Sequence, residues 1–453
     1  MPTTVIILAA GQGKRMRSDL PKVLQPLAGQ PLIRHVLATA QALNPREIRV
    51  VHGHGGGEVQ AACLDQPVGW YHQAVQQGTG HAVLQALPRI PPEDVVLVLY
   101  GDVPLVEPGT LKKLVARAGK GQVAVLTAEM ADPTGYGRII RGTRGVVTAI
   151  VEHKDATADE RRIREVNTGL IACPARRLAK WIGRLKPDNA QKEYYLTDIV
   201  GLAARDKVPV VAVAAASEDE VLGINDKLQL AEAEKILRRR RATALMAAGV
   251  TLADPERIDI RGELLCGRDV VIEPDVVFEG VVHLGDRVRI GPFGLIRNTL
   301  IGDGTRIHSH CMIEDGIIGP GCEIGPYARL RPGVEMAERG KIGNFVEVKK
   351  SVIGAGSKVN HLSYIGDATI GEKVNVGAGT ITCNYDGASK HRTVIGDGAF
   401  IGSGVELVAP VEIGPGATIG AGSTVTKPAP AGQLTLERAK QVTIPGWKRP
   451  VKR

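Results

Sequence analysis

The stretch Ile395-Gly-Asp-Gly-Ala-Phe-Ile401-Gly-Ser-Gly-Val-Glu-Leu407-Val-Ala-Pro-Val-Glu-Ile413-Gly-Pro-Gly-Ala-Thr-Ile419-Gly-Ala-Gly-Ser-Thr-Val425 brings back an aliphatic side chain at every sixth residue. A helix repeats its face about every 3.6 residues and a strand every 2, so neither explains the beat. Six residues per step is the mark of hexapeptide repeats, in which short parallel strands wind into a β-helix with one aliphatic residue per step inside the prism. Such coils stack only on their neighbours. They need several repeats and a cap, and they offer flat faces and edges for a ligand or a symmetry partner.

The same beat runs upstream through Leu284-Gly285, Ile290-Gly291, Ile301-Gly302, Ile318-Gly319, Ile324-Gly325, Ile342-Gly343, Ile353-Gly354, Ile365-Gly366 and Val376-Gly377. Roughly 180 residues thus belong to one solenoid. The step shortens between Ile365 and Ile370, and the regular series is lost between Val376 and Ile395. Interruptions of this kind usually map to loops on one face, often the working face. The solenoid is expected to end near Lys427, before Pro428-Ala-Pro430.

The chain has 453 residues, enough for two or three domains. Its six cysteines form no CxxC pair and no metal spacing, so reduced thiols in a cytoplasmic protein are expected. The only N-terminal apolar run, residues 5–10, is too short for a membrane span or a signal-peptide core. A net charge of +9 could suit nucleic acid, but aromatics make up only 3% of residues. With no base-stacking pattern, small phosphorylated anions are the better partners, and no nucleic acid is expected.

Residues 1–225 read as an α/β domain. Apolar runs at Val5–Ala10, Ile48–Val51, Val95–Tyr100 and Val123–Thr127 alternate with helical stretches such as Pro31–Leu43 and Thr79–Leu87. A Rossmann-like, mostly parallel sheet with helices on both faces is predicted, and its ligands should lie beyond the carboxyl ends of the strands. Residues 226–249 read as one linker helix, with Leu230, Ala233, Leu237, Ala244 and Leu245 on one stripe and Gly249 as its stop. Its Arg238–Arg241 run reads as a solvated face. Residues 250–453 then form the solenoid and a basic tail.

Leu8-Ala-Ala-Gly11-Gln-Gly13-Lys14-Arg15 follows the first predicted strand with two glycines and two cations, a phosphate-binding chemistry. It is neither a Walker loop nor the dinucleotide fingerprint, and a Gly-rich turn can be purely structural. Four further groups accompany it: Asp19-Leu-Pro21-Lys22-Val23, Gln73, Gln77-Gly78-Thr79-Gly80-His81 and Tyr100-Gly101-Asp102-Val-Pro104. Together they resemble the sugar-phosphate nucleotidyltransferases. Tyr136-Gly137-Arg138-Ile139, Val151-Glu152-His153-Lys154-Asp155-Ala156, Asn167-Thr168-Gly169 and Gly223-Ile-Asn225 narrow the resemblance. Over nearly its whole length the chain resembles the bifunctional N-acetylglucosamine-1-phosphate uridylyltransferase/glucosamine-1-phosphate N-acetyltransferase family.

The resemblance implies that Leu8, Ala9, Ala10, Gly11, Gln73, Gly78 and Thr79 hold UTP, that Gly137, Glu152 and Asn167 hold N-acetylglucosamine-1-phosphate, and that Tyr100 and Gly101 belong to the same nucleotide and sugar site. Arg15 and Lys22 would neutralise the triphosphate, and Asp102 and Asn225 would hold Mg²⁺, an ion that binds through few protein oxygens and substrate phosphates. By residue chemistry alone, Asp102 could be a turn residue and Asn225 a helix cap. His52 and His54, between glycines, read as a solvated loop for want of a third ligand nearby.

A second group lies near the break in the solenoid. With coils of about 18 residues, Arg331 and Lys349 stack on one face and can converge with the region after them. Two cations suit a sugar phosphate, and a histidine suits removal of a proton from an amine. Asn360-His-Leu-Ser-Tyr-Ile-Gly366 and Gly379-Thr-Ile-Thr-Cys-Asn-Tyr-Asp-Gly387 resemble the acetyltransferase half of the same family. That resemblance implies His361 as base, with Arg331, Lys349, Tyr364 and Asn375 placing glucosamine-1-phosphate. Ala378, Asn384, Tyr385, Ser403, Ala421 and Arg438 would contact acetyl-CoA. Cys383 reads as a buried thiol, since direct amine attack needs no acyl-enzyme. His308 and His310 read as surface residues.

The family further implies a left-handed β-helix, a homotrimer joined through the solenoids and a product that feeds cell-wall and surface polysaccharide synthesis. Two other readings stay open on the residues: a nucleotidyltransferase whose solenoid is only structural, and a non-catalytic scaffold.

Overall fold

A computed structural model describes residues 1–450 of the chain. It divides into two compact units, with the division in sequence after Leu237.

The N-terminal unit is built on a mixed sheet. Its strands are β1 (Thr3–Ala9), β2 (Glu47–His52), β3 (Gly69–His72), β4 (Val95–Tyr100), β5 (Val123–Glu129), β6 (Gly137–Arg141), β7 (Val147–Val151), β8 (Glu165–Pro174) and β9 (Val210–Ala214). The order across the sheet is β9-β5-β8-β4-β1-β2-β3, with the β6–β7 hairpin attached to β8. β1 is apolar on both faces because both are covered. Val5 and Ile7 pack with Ile33, Val36 and Leu37 of α1 (Leu32–Gln41). Ile6 and Leu8 pack with Ala82, Val83 and Trp181 on the other side.

β8 runs antiparallel to β4 and β5, the one exception to the parallel rule in the central sheet. Its apolar run is hard to see in the sequence because Asn167-Thr168-Gly169 interrupts it, and the register with β5 shifts between Asn167 and Ile171. At that irregularity Asn167 sits opposite Gly137 in the register with β6.

The helix Lys227–Ala247 places Ala233 in a buried cluster of the N-terminal unit, with Leu230 and Leu237 against it. Its later residues Ala242 and Leu245 belong to the core of the C-terminal unit. The Arg238–Arg241 run is not simply a solvated face. Arg238 pairs with Asp259 at 2.8 Å and Arg239 with Glu256 at 2.7 Å, so acidic residues at the start of the solenoid draw two of its cations in.

The C-terminal unit is a parallel β-helix. Hydrogen-bonded partners on successive coils lie 17 or 18 residues apart, and 25 apart where the sequence register is lost. Ile290, Ile307, Ile324, Ile342, Val359, Val376, Ile401 and Ile419 are in register along one face and all buried. This column takes every third step of the six-residue beat; Ile395 with Ile413, and Leu407 with Val425, lie on the other two. The solenoid runs past Lys427: Leu434–Thr435 stacks on Thr418–Ile419, and buried Ala429 bridges Ile413. A small alanine in the inward position and two flanking prolines hide that last coil from the aliphatic pattern. All six cysteines are free thiols. Among the described residues no helix is long and apolar enough to cross a membrane.

Candidate active sites

In the N-terminal unit, Leu8, Ala9, Ala10, Gly11, Lys22, Gln73, Gly78, Thr79, Tyr100 and Asp102 line a cavity of 320 Å³ at the carboxyl ends of β1 and β4. The Gly101 amide donates to the Leu8 carbonyl at 2.9 Å, tying the two strand ends together. Gln73 donates to the Gly78 carbonyl at 3.2 Å, and the Thr79 hydroxyl accepts from the Leu196 amide at 3.0 Å.

At the polar end of this cavity Lys22 Nζ forms an ion pair with Asp102 Oδ2 and lies 3.3 Å from Asn225 Oδ1. Arg15 Nη2 donates to the same Asn225 oxygen at 3.0 Å. Cationic nitrogens thus sit where Asp102 and Asn225 converge from distant parts of the chain. Two hard oxygens facing one ammonium fit a magnesium ion, which takes few protein ligands and completes its shell with water and phosphate. Asn225 is not the helix cap: Asp226 Oδ1 accepts from the Gln229 amide at 2.9 Å and does the capping, which leaves the Asn225 side-chain oxygen facing the cations.

Gly137, Glu152 and Asn167 form an adjoining cluster. A Cβ on Gly137 would lie 3.2 Å from the Glu152 carboxylate, and Asn167 pairs with Gly137 across the strands. Thr197 Oγ1 donates to Glu152 Oε1 at 3.2 Å. Burial raises the Glu152 pKa, with the Asp198 and Asp155 charges adding to it and the Thr197 hydrogen bond opposing. Tyr100 links the two clusters. Burial first, then the charges of Glu152 and Asp102, push its phenol well up, so it remains a neutral hydrogen-bonding group.

Sequence reasoning missed Gln76 and Glu193, which also line the cavity, and Thr197. Gln76, which donates to the Ala10 carbonyl at 2.5 Å, lies within the Gln73–His81 motif and could have been found there. His52 differs from the solvated-loop expectation. It ends β2, stacks on His72 at 5.2 Å and pairs with Gln60, because a strand partner faces it. Among the described residues no three His, Cys, Asp or Glu side chains gather to hold a metal.

In the β-helix, Arg331 and Lys349 are on successive coils, with the Arg331 amide bonded to the Val348 carbonyl at 2.8 Å. Arg331 is paired with Glu347 at 3.0 Å, and Glu347 is in register with Tyr364. Asn384 donates to the Tyr364 hydroxyl at 3.4 Å and to Asp367. Lys390, missed in the sequence, reaches this group from the inserted loop. The neighbouring Lys349 lowers its pKa, first through their direct contact and then through charge repulsion. Two crowded ammoniums have the charge to attract an anion. The irregular insert gave no register from which to place Lys390. Asn375 lies on a neighbouring face, in register with Lys358 and Phe400.

His361 stands at a corner between two faces, and its position repeats up the coil as Ala378, Ser403 and Ala421. The ladder is backbone: Gly379 N to His361 O at 3.3 Å, Gly404 N to Ala378 O at 2.7 Å and Gly422 N to Ser403 O at 2.9 Å. Arg438 Nη1 closes it by donating to Ala421 O at 3.0 Å. The residue after each of these positions is left-handed. Below His361 those corner residues are bulky: Phe293, His310, Tyr327, Phe345 and Leu362. Above it they are Gly379, Gly404 and Gly422. A Cβ at Gly404 or Gly422 would meet nothing within 4 Å, so the column opens into a smooth, unfilled shoulder.

The bulky corners stack, with ring centroids 4.8, 4.6 and 5.2 Å apart from Phe293 to Phe345. His310 therefore belongs to an aromatic ladder, while His308 pairs with Glu323 at 3.0 Å. The two do not face the same way, because a corner lies between them. Tyr385 is exposed, and its hydroxyl donates to Gly387 O at 2.6 Å. Burial, with Glu406 adding, raises the Cys383 pKa, which disfavours the thiolate a nucleophile needs.

Residues 5–186 match the family model of the MobA-like NTP transferase domain, and residues 298–332 and 392–427 match that of bacterial transferase hexapeptide repeats. Over 449 residues the chain is 60% identical to the bifunctional protein GlmU of Aromatoleum aromaticum, covering 99% of both chains. It is 59% identical to GlmU of Azoarcus sp. strain BH72 over 448 residues, again 99% of each. GlmU of Chromobacterium violaceum matches at 56% over 450 residues and 99% of both chains. The chain belongs to the GlmU family, and it is a bifunctional transferase that joins an N-acetylglucosamine-1-phosphate uridylyltransferase to a glucosamine-1-phosphate N-acetyltransferase.

Proposed function

We propose that the two reactions run at two separate sites, one in each unit. Acetyl transfer to glucosamine-1-phosphate occurs around His361. Uridylyl transfer to N-acetylglucosamine-1-phosphate occurs in the cavity between Gly11, Tyr100 and Asp102. The observation that carries this reading is that the cavity of Leu8–Gly11, Lys22, Tyr100 and Asp102 is lined wholly by residues of the N-terminal unit, while His361, Arg331 and Lys349 lie on the coils of the other.

In the first site the uridine nucleotide lies along Leu8–Gly11, Gln73, Gly78 and Thr79, and Gly137, Glu152 and Asn167 orient the sugar by its hydroxyl and amide groups. A sugar-phosphate oxygen attacks the α-phosphorus in line, a P–O bond forms, and the bond to pyrophosphate breaks. Arg15 and Lys22 offset the charge on the triphosphate, and no enzyme-bound intermediate is required. Asp102 and Asn225 would hold Mg²⁺, which supplies charge neutralisation at the phosphates.

In the second site Arg331, Lys349 and Lys390 hold the sugar phosphate, with Tyr364 and Asn375 on the sugar. His361 takes the proton from the amine as its nitrogen attacks the thioester carbonyl. A C–N bond forms, the C–S bond breaks, and coenzyme A leaves as the thiol once the proton taken from the amine passes to its sulfur. Acetyl-CoA lies on the shoulder of Ala378, Ser403 and Ala421, with Asn384, Tyr385 and Arg438 at its edges. The exposed rings of Phe293, Tyr327 and Phe345 support a homotrimer packed through the β-helices, since a stacked apolar column in water is a ready interface. A chain whose six cysteines are all free thiols suits the cytoplasm, where UTP and acetyl-CoA are supplied. Separate assays test the reading: the purified protein should release coenzyme A from acetyl-CoA with glucosamine-1-phosphate, and pyrophosphate from UTP with N-acetylglucosamine-1-phosphate. Absence of thiol release would leave the solenoid a structural element.

A further inference from the structure

We propose that Asn344 is a positioning residue for acetyl transfer, which holds His361 in the tautomer able to act as a base at Nε2. The inference rests on the reading of His361 as that base.

Asn344 Oδ1 lies 2.7 Å from His361 Nδ1. An amide oxygen carries no hydrogen, so the shared hydrogen belongs to Nδ1. A neutral imidazole has only one N–H, and Nε2 therefore presents a lone pair. Among the described residues Nε2 has no hydrogen-bond partner of its own. A proton taken from the amine would go there, and the imidazolium formed keeps its Nδ1 bond to the amide oxygen, so no group has to turn during the transfer.

The local backbone builds this pair. Asn344 ends the strand Lys341–Asn344, His361 ends Lys358–His361, and the two are in register. The Leu362 amide bonds to the Asn344 carbonyl at 3.1 Å. Phe345 at φ 55° and Leu362 at φ 46° turn both corners in the same left-handed way, so both side chains leave the coil at equivalent places. A Cβ on Gly343 would meet the Asn360 carbonyl oxygen at 1.9 Å, so the strands approach as closely as only glycine allows. The corner positions on either side of the pair, Pro326 and Ala378, have no polar side-chain atom. Among the described residues the Asn344 amide has His361 as its only side-chain hydrogen-bond partner.

The test uses the full-length protein and the variants Asn344→Leu and His361→Ala. In Asn344→Leu, kcat for coenzyme A release should fall about tenfold, a part of what a general base contributes. KM for glucosamine-1-phosphate and for acetyl-CoA should stay within about twofold of the parent, because Asn344 itself holds neither. Solid-state ¹⁵N spectra of histidine-labelled protein, with the His361 signal identified by its loss in His361→Ala, should read Nδ1–H in the parent and a shift toward Nε2–H in Asn344→Leu. Three results would overturn the proposal: an Nε2–H parent, an unchanged kcat in Asn344→Leu, or KM values rising in step with a falling kcat. If instead His361→Ala keeps its coenzyme A release, the base assignment fails by itself, and the parent spectrum still reports whether Asn344 sets the tautomer.

Discussion

In the N-terminal unit Lys22 meets Asn225 across 203 residues of sequence, and Asp102 arrives from the end of the strand Val95–Tyr100. In the β-helix the partner of a functional residue sits on the next coil, 17 residues on for Asn344 and His361. An α/β sheet gathers a site from loops that need share no sequence spacing. A solenoid writes its sites as columns, so one position repeated along the coil becomes one line in space. The first arrangement tunes each group separately. The second makes every substitution a change in a row of near-equivalents.

The comparison is broken most directly by testing whether the two sites are independent. His361→Ala should reduce coenzyme A release about 1000-fold and leave pyrophosphate release intact, within the range known for a general base. Asp102→Ala should reduce pyrophosphate release by a similar factor, about 1000-fold, since it removes an acidic group that faces the cations. Measuring both products for each variant decides the matter. If one substitution removed both activities from a folded protein, the sites would be coupled.

Next in size is the interior of the coil. Ile401 is fully buried between Val376 and Ile419. Ile401→Ala should cost the β-helix about 3 kcal/mol, the usual result of emptying a packed aliphatic position. Coenzyme A release should then be lost at a lower temperature than in the parent, with pyrophosphate release lost at the parental temperature. Parallel heat-inactivation curves for the two assays read the difference.

How much of this was legible follows from the same contrast. The buried isoleucine column can be read directly from the six-residue beat, because each inward position must be aliphatic. The corner column of His361, Ala378, Ser403 and Ala421 cannot be read that way. Its members share geometry and not chemistry, and the 25-residue coil breaks the spacing before Ser403. Lys390 was invisible for the same reason, lying in the insert with no register to count from. In the N-terminal unit the motifs Gly11–Arg15 and Gly101-Asp102 were plain at strand ends, while β8 was obscured by the irregularity that follows Asn167. The last coil went unseen because Ala429 fills it where an isoleucine was expected.

The open shoulder above His361 gives a smaller test. Gly404 has φ 66° and free space around its Cβ position. Asparagine takes this left-handed conformation at modest cost. Gly404→Asn should therefore fold, place an amide on the proposed cofactor path, and raise KM for acetyl-CoA about tenfold with KM for glucosamine-1-phosphate unchanged. An unchanged KM for acetyl-CoA would move the cofactor off this column.

The smallest effect separates the units by electrostatics. Glu152 has its pKa raised chiefly by burial, with Asp198 and Asp155 adding. A carboxyl that holds its proton more tightly folded than unfolded stabilises the fold at pH below its ordinary value, and loses that contribution as pH rises through the raised value. Above the raised value the ionised Glu152 is therefore a net burden on the unliganded N-terminal unit. Glu152→Gln should raise its Tm by about one to two degrees at pH above the raised value, a gain that fades as the buffer is taken down through it into the ordinary carboxylate range. The same variant should bind N-acetylglucosamine-1-phosphate less well, because an amide accepts the sugar hydroxyls more weakly than a carboxylate. Stability gained where binding is lost would mark Glu152 as held for its substrate. Asn344, a neutral amide beside the proposed base, should show no such trade when replaced by leucine.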